Sequence, residues 1–176
     1  MRSGRGTRAL LGAGKARLSH VDRRGRVRMV DVSAKDETRR EAVARGSLAL
    51  SREAFEAVAQ NRLDKGDLLT VARIAGIQAA KRTSSLVPLC HTIPLDHVEV
   101  EVTLHPDRLR IEFEARARTR SATGVEMEAL TAVTVAGLAA YDMVKAVDRE
   151  AVLSEIRLVA KSGGRSGRFR RSGEDP

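Results

Sequence analysis

Two different apolar rhythms divide the chain. Residues 97–104 (HVEVEVTL) alternate strictly, with Val98, Val100 and Val102 on one side and polar residues on the other. Residues 108–118 (RLRIEFEARAR) alternate likewise, placing Leu109, Ile111, Phe113 and Ala115 together. His105-Pro106-Asp107 joins the two runs. The pattern predicts an antiparallel hairpin with one dry and one wet face. Residues 124–147 (GVEMEALTAVTVAGLAAYDMVKAV) behave otherwise, since no charge falls between Ala129 and Tyr141 and no proline interrupts them. A helix that is apolar all round is buried in a protein or in a membrane. The uncharged run is shorter than the roughly 20 residues of a membrane span, so a buried core helix is expected. Its charges lie at its ends. Glu126 and Glu128 suit the positive N-terminus of the helix dipole, whereas Asp142, three residues before Lys145 and on its face, opposes the dipole and calls for another reason to be there.

The other elements are shorter. Residues 29–35 (MVDVSAK) are read as extended. Residues 38–50 are ambiguous by periodicity and are read as a strand ending at Ser51, which caps a short helix to about residue 60. A turn over 61–66 leads to Asp67, the cap of a second helix to about residue 83, with Val71, Ile74, Ala75 and Gln78 at helical spacing. Pro88 and Pro94 exclude regular helix from SSLVPLCHTIPLDH. Residues 153–160 (LSEIRLVA) predict a last strand. Strand, helices, hairpin, buried helix, strand is an α+β order: a ferredoxin-like antiparallel sheet with helices packed largely on one face. The central helix is too apolar for one sheet face to cover, so part of it is expected to meet another subunit. The domain is placed at residues 29–169, between a disordered N-terminal extension (1–28) and a disordered tail (170–176).

Charge changes the picture less than its total suggests. The net charge is +9, but residues 1–28 contribute +8 and residues 161–176 contribute +3, leaving the body between them at −2. Basic tails bind polyanions weakly and say little about the domain. A ferredoxin-like sheet that binds RNA needs aromatic residues for base stacking. With three Phe, one Tyr and no Trp, a nucleic-acid binder is set aside, and neither nucleic acid nor membrane is expected as a partner. Cys90 is the only cysteine, which excludes an intramolecular disulfide and suits a reducing, cytoplasmic location. The N-terminus lacks the apolar core of a signal peptide.

Candidate chemistry gathers in four places. Lys65-Gly66-Asp67 precedes a helix N-terminus, where free N–H groups attract anions. His91 lies in an apolar loop beside Cys90, an unusual setting for a histidine. Asp142 and Lys145 share the end of the central helix. KSGGRSG (161–167) joins cations to a flexible backbone able to wrap phosphate, but it is not a Walker A loop. The four histidines show no metal-ligand spacing. These residues favour an enzyme acting on a small phosphorylated substrate through Lys65, His91, Asp142, Lys145 and Lys161.

MVDVSAK, KGD, ARIAGIQAAKRT, PLCH, TGVEMEALTA, YDMVKAV and LVAKSGG, in that order over residues 29–169, resemble cyclic pyranopterin monophosphate synthase, the MoaC family of molybdenum-cofactor biosynthesis. The resemblance implies a ferredoxin-like subunit assembled as a homohexamer, a trimer of dimers. It implies a lyase that rearranges a cyclised dihydro-GTP, made by a radical-SAM GTP cyclase, to cyclic pyranopterin monophosphate with loss of pyrophosphate. Asp142, Lys65 and Lys145 match the family's catalytic residues. Leu89, Cys90, His91, Met127 and Glu128 match its substrate-binding segments, and Lys161 and Arg165 are candidates for the triphosphate. Thr92 stands where the family usually has proline. No cofactor and no dedicated metal site is implied, and nucleotide-bound magnesium is compatible. Such chemistry needs a positioned acid and base near neutral pKa, and Lys65 and Lys145, brought together, are expected to lower each other's pKa.

Overall fold

The structure, a computed structural model, describes residues 25–175; most of the basic extension therefore lies outside the described residues. Its strands are β1 (Thr38–Ala49), β2 (His97–His105), β3 (Arg110–Ser121), β4 (Val152–Ser162) and β5 (Phe169–Arg170). Its helices are α1 (Arg52–Ala59), α2 (Leu68–Ala80), α3 (Thr83–Leu86) and α4 (Glu126–Val144). The sheet order is β2-β3-β1-β4-β5, and every neighbouring pair is antiparallel. The expected α+β sheet with its helices on one face is what forms.

Side-chain alternation sets the two faces. Ile111, Phe113, Ala115 and Ala117 of β3 are fully buried beneath the helices. They stand beside Leu48, Ala44 and Ala42 of β1 and beside Val102, Val100 and Val98 of β2. The opposite face is charged and open: Glu41 accepts from Arg116 at 2.7 Å and from Arg118 at 2.6 Å, and Arg45 pairs with Glu114 at 2.6 Å. Small residues let α4 settle onto β1. A Cβ on Gly46 would lie 2.7 Å from Val133 Cγ1. α4 is long and apolar enough to pass for a membrane span, yet Ala129, Ala132, Val133, Ala136 and Ala140 are buried against the sheet and α2, as a core helix requires.

Both expected caps are present. Ser51 Oγ accepts from Ala54 N at 3.3 Å, and Asp67 Oδ1 accepts from Leu69 N at 3.0 Å and Thr70 N at 3.2 Å. Three details differ from the sequence expectation. α2 stops at Ala80, and a separate turn of helix, α3, follows it. β4 runs on to Ser162, so Lys161 belongs to a strand. Residues 170–175, expected as a disordered tail, return along β4, where Arg170 pairs with Ala160 and Arg171 N donates to Val159 O at 2.8 Å.

Candidate active site

The first element of the site is a cleft of about 730 Å³ where β4 ends beside the start of α4. Lys35, Arg40, Lys161 and Arg165 supply cations to its lining, and Gly163 and Gly164 supply bare backbone. Both glycines have positive φ, 92° and 70°. A Cβ on Gly163 would lie 2.2 Å from Arg39 O, and one on Gly164 would lie 1.9 Å from the Arg40 guanidinium. Only glycine lets this loop lie so close to β1. Lys161 Nζ bonds Ser166 Oγ at 2.5 Å and pairs with Glu126 at 3.1 Å. Cations, hydroxyls and free backbone together suit a chain of phosphates.

A second hollow of about 530 Å³ adjoins the cleft, sharing Lys35, Thr123, Gly124 and Glu126 with it. Val30, Val32, Val87, Leu89, Cys90, His91, Met127 and Glu128 complete its wall. Here lie the expected substrate-binding residues, brought together from the proline-bounded loop and the first turn of α4. His91 Nε2 lies 2.8 Å from Val30 O; a carbonyl only accepts, so Nε2 carries the proton. Thr92 secures the loop: its hydroxyl donates to Ser84 Oγ at 3.1 Å. Glu128 is 4% exposed. Burial pushes its carboxyl up to about 7, with the Glu126 charge adding to the rise against an opposing backbone hydrogen bond. Burial, and Glu128 beside it, also push the Cys90 thiol up. The hollow thus combines apolar walls with a carboxyl that titrates near neutrality, a setting for a flat, hydrogen-bonding heterocycle.

The catalytic candidates meet at the other end of α4. Lys65 Nζ lies 2.6 Å from Asp142 Oδ2 and also donates to Asp142 O at 2.9 Å, while Lys145 Nζ lies 2.7 Å from Oδ1. One carboxylate therefore bridges two ammonium groups, which is the reason an acid stands at this helix end. The turn beneath is held by Asp148, whose Oδ2 accepts from Ser51 N at 2.7 Å, and by Tyr141 Oη, which donates to Arg149 O at 3.2 Å. The Lys145 and Lys65 ammonium groups hold the Asp142 carboxyl down at about 2. Asp142 in turn raises the pKa of Lys145, opposite to the expected lowering, because the carboxylate lies between the cations. The α2 N-terminus offers no open anion site in its first turn, since the Asp67 carboxylate takes the N–H groups of Leu69 and Thr70.

The matched family model is the MoaC family, over residues 29–164. The chain belongs to the MoaC family. It is 56% identical over 158 residues to the cyclic pyranopterin monophosphate synthase of Pelotomaculum thermopropionicum, covering 90% of this chain and 93% of that protein. Its identity to the enzyme of the same name from Thermomicrobium roseum is 55%, covering 91% and 96%. Molybdenum cofactor biosynthesis protein 1 of Homo sapiens is 52% identical over 155 residues, covering 88% of this chain but 24% of the human protein.

The MoaC match spans the residues just described except Arg165 and Ser166, yet the chain does not bring them to one place. Glu128 and Asp142 are fourteen residues apart on one continuous helix, about 21 Å at 1.5 Å per residue. Lys35 and Arg40 line the cleft, although residue-level reading does not single them out. Lys35 stood inside the MVDVSAK motif, but only the folded chain shows it between the two hollows.

Proposed function

We propose that this chain converts a cyclised dihydroguanosine triphosphate to cyclic pyranopterin monophosphate, releasing pyrophosphate. The observation that carries the reading is the junction of a cation-lined cleft with a hollow containing Glu128, His91 and Cys90, in a chain of the MoaC family. The triphosphate lies along Lys161, Arg165, Lys35 and Arg40. The purine-derived rings enter the hollow, where neutral Glu128 gives a proton to the rearranging rings and ionised Glu128 takes one. Fixing the terminal phosphates while the α-phosphorus meets a substrate hydroxyl supplies positioning, the main demand of an in-line displacement. The new P–O bond forms as the bond to pyrophosphate breaks. Lys145, held as an ammonium by Asp142, enters as a proton donor, and the bond rearrangement uses the chain's own acid and base.

Lys65, Asp142 and Lys145 are too far from the hollow to act on the same substrate within one subunit. The reading therefore includes a second copy of the chain, whose lysine pair reaches over this cleft. The exposed apolar residues Val71, Ile74 and Leu138 on the outer side of α2 and α4 support such packing, and a closed assembly such as a trimer of dimers fits it. A radical-SAM cyclase supplies the substrate in this reading. The test is to incubate the purified protein with the cyclised triphosphate and follow pyrophosphate and pterin. Formation of both is expected; an unchanged substrate with folded protein would exclude the reading.

A further inference from the structure

The loop that lines the cation cleft is not held by its own composition. Between Lys161 and Arg171 the chain has five cations and no acid, so the segment repels itself. Gly163, Gly164 and Gly167 all have positive φ, a conformation that the loop samples freely but does not prefer. β5, which closes the loop, is two residues long, and strands of that length do not hold themselves. Phe169 remains 40% exposed, so apolar burial anchors it weakly. The anchor lies beyond it. Glu174 returns across the open face of the sheet, where it accepts from Arg45 of β1 at 2.8 Å and from Arg157 of β4. Its side chain is 13% exposed, and Arg45 and Arg157 are 19% and 24% exposed. Arg45 also donates to Asp175 O at 2.6 Å, and Arg170 of β5 donates to Glu174 O at 3.0 Å.

We propose that Glu174 is a positioning residue for the reaction: by clamping the C-terminal segment to β1 and β4, it holds β5 and so orders the 163–168 loop that receives the triphosphate. Glu174 touches no substrate, because it lies on the face of the sheet opposite the helices. It acts through Arg170 and the β4–β5 pairing, where Phe169 stands opposite Lys161. With the clamp closed, the loop amides and the Lys161 ammonium are already placed. With it open, part of the phosphate-binding energy goes into ordering the loop. The proposal rests on the phosphate role of the loop argued above.

The experiment uses the full chain and compares Glu174→Gln, Arg157→Gln and Lys161→Ala. Each is measured for KM and kcat, for binding of inorganic pyrophosphate by calorimetry, and for hydrogen exchange at the amides of residues 163–168. Either clamp variant should raise KM and weaken pyrophosphate binding about tenfold, the scale of one charge-assisted contact. Turnover at saturation should stay within about twofold, since the bound substrate re-forms the loop, and loop exchange should quicken. Unchanged KM and pyrophosphate binding in both clamp variants, with Lys161→Ala impaired, would overturn the clamp and leave the phosphate role standing. Full pyrophosphate affinity in Lys161→Ala would overturn the phosphate role, and the clamp with it. A loss of kcat and thermal stability at unchanged KM would show a purely structural part for Glu174 and also overturn the proposal. Arg157→Gln opens the same clamp from the other side, so a folding failure of one variant leaves the second to decide.

Discussion

Glu128 and Asp142 show how differently one helix can treat two carboxyls. Glu128 sits in the first turn of α4, where the dipole favours its charge, yet burial outweighs the dipole and moves its pKa from 4.5 to about 7. Asp142 stands near the end, where the dipole opposes its charge, yet two lysines move it to about 2. The raised value has a consequence for stability. Between 4.5 and about 7 the folded protein keeps the Glu128 proton while the unfolded chain releases it. The unfolded state then binds fewer protons, so this group lowers stability as pH rises through that window. Glu128→Gln keeps the neutral shape and removes the titration. Its melting temperature should therefore gain on the wild type from about pH 5 to about pH 8, where the full penalty is reached. Melting curves of both proteins across that range test this, and a pH-independent difference would show that Glu128 ionises normally. Turnover of the variant should fall about 100-fold or more, the scale of a lost acid–base group.

At the level of elements, sequence rhythm was most informative where one face is dry and the other wet. Alternation placed β2 and β3 within a few residues, and uninterrupted apolarity identified α4. It was least informative where tertiary contacts decide. β1 is ambiguous in sequence because Ala42, Ala44 and Gly46 are small rather than β-branched; they are chosen for the closeness of α4, which periodicity does not encode. β5 leaves no apolar pattern beyond the single Phe169, since cross-strand pairing and carboxylate–guanidinium contacts hold it. The α2–α4 contact has the same character as that of β1. A Cβ on Gly76 of α2 would lie 2.9 Å from Ala132 O and 3.2 Å from Ala136 Cβ, and a backbone carbonyl cannot swing aside. Gly76→Ala gains helix propensity, about 1 kcal/mol at most, but must push the two helices apart. Overpacking costs about 1–3 kcal/mol, so the variant should be less stable by up to about 2 kcal/mol after the propensity gain, as read by chemical unfolding. A more stable variant would show that the helices separate freely.

At the scale of the whole molecule, the sequence motifs named candidate residues but not how the fold arranges them. Family resemblance supplied Lys65, Asp142 and Lys145 together with Glu128 and His91 without saying whether one subunit holds them all. The folded chain sets the two groups at opposite ends of α4. A rigid, buried helix has no means of shortening, so a single subunit cannot close the gap; in the assembly proposed above, a neighbouring copy related by a two-fold axis would present its lysine end to this subunit's cleft. Such a pair contains two equivalent sites, each with residues from both chains. Complementation follows from that arithmetic. Lys145→Ala disables the lysine end, and Glu128→Gln disables the hollow. When the two inactive variants are co-expressed, random pairing makes about half of the pairs mixed, and each mixed pair carries one site with both defects and one with neither. The mixture should therefore recover about a quarter of wild-type turnover, far above either variant alone. Differently tagged chains purified through both tags should give about half of wild-type turnover where the pair is the whole assembly, since every such pair is mixed, and about a quarter where three pairs assemble together, since like pairs are then carried along. Sites confined to single subunits predict no recovery at any mixing ratio, and that result would return the two ends of α4 to separate roles.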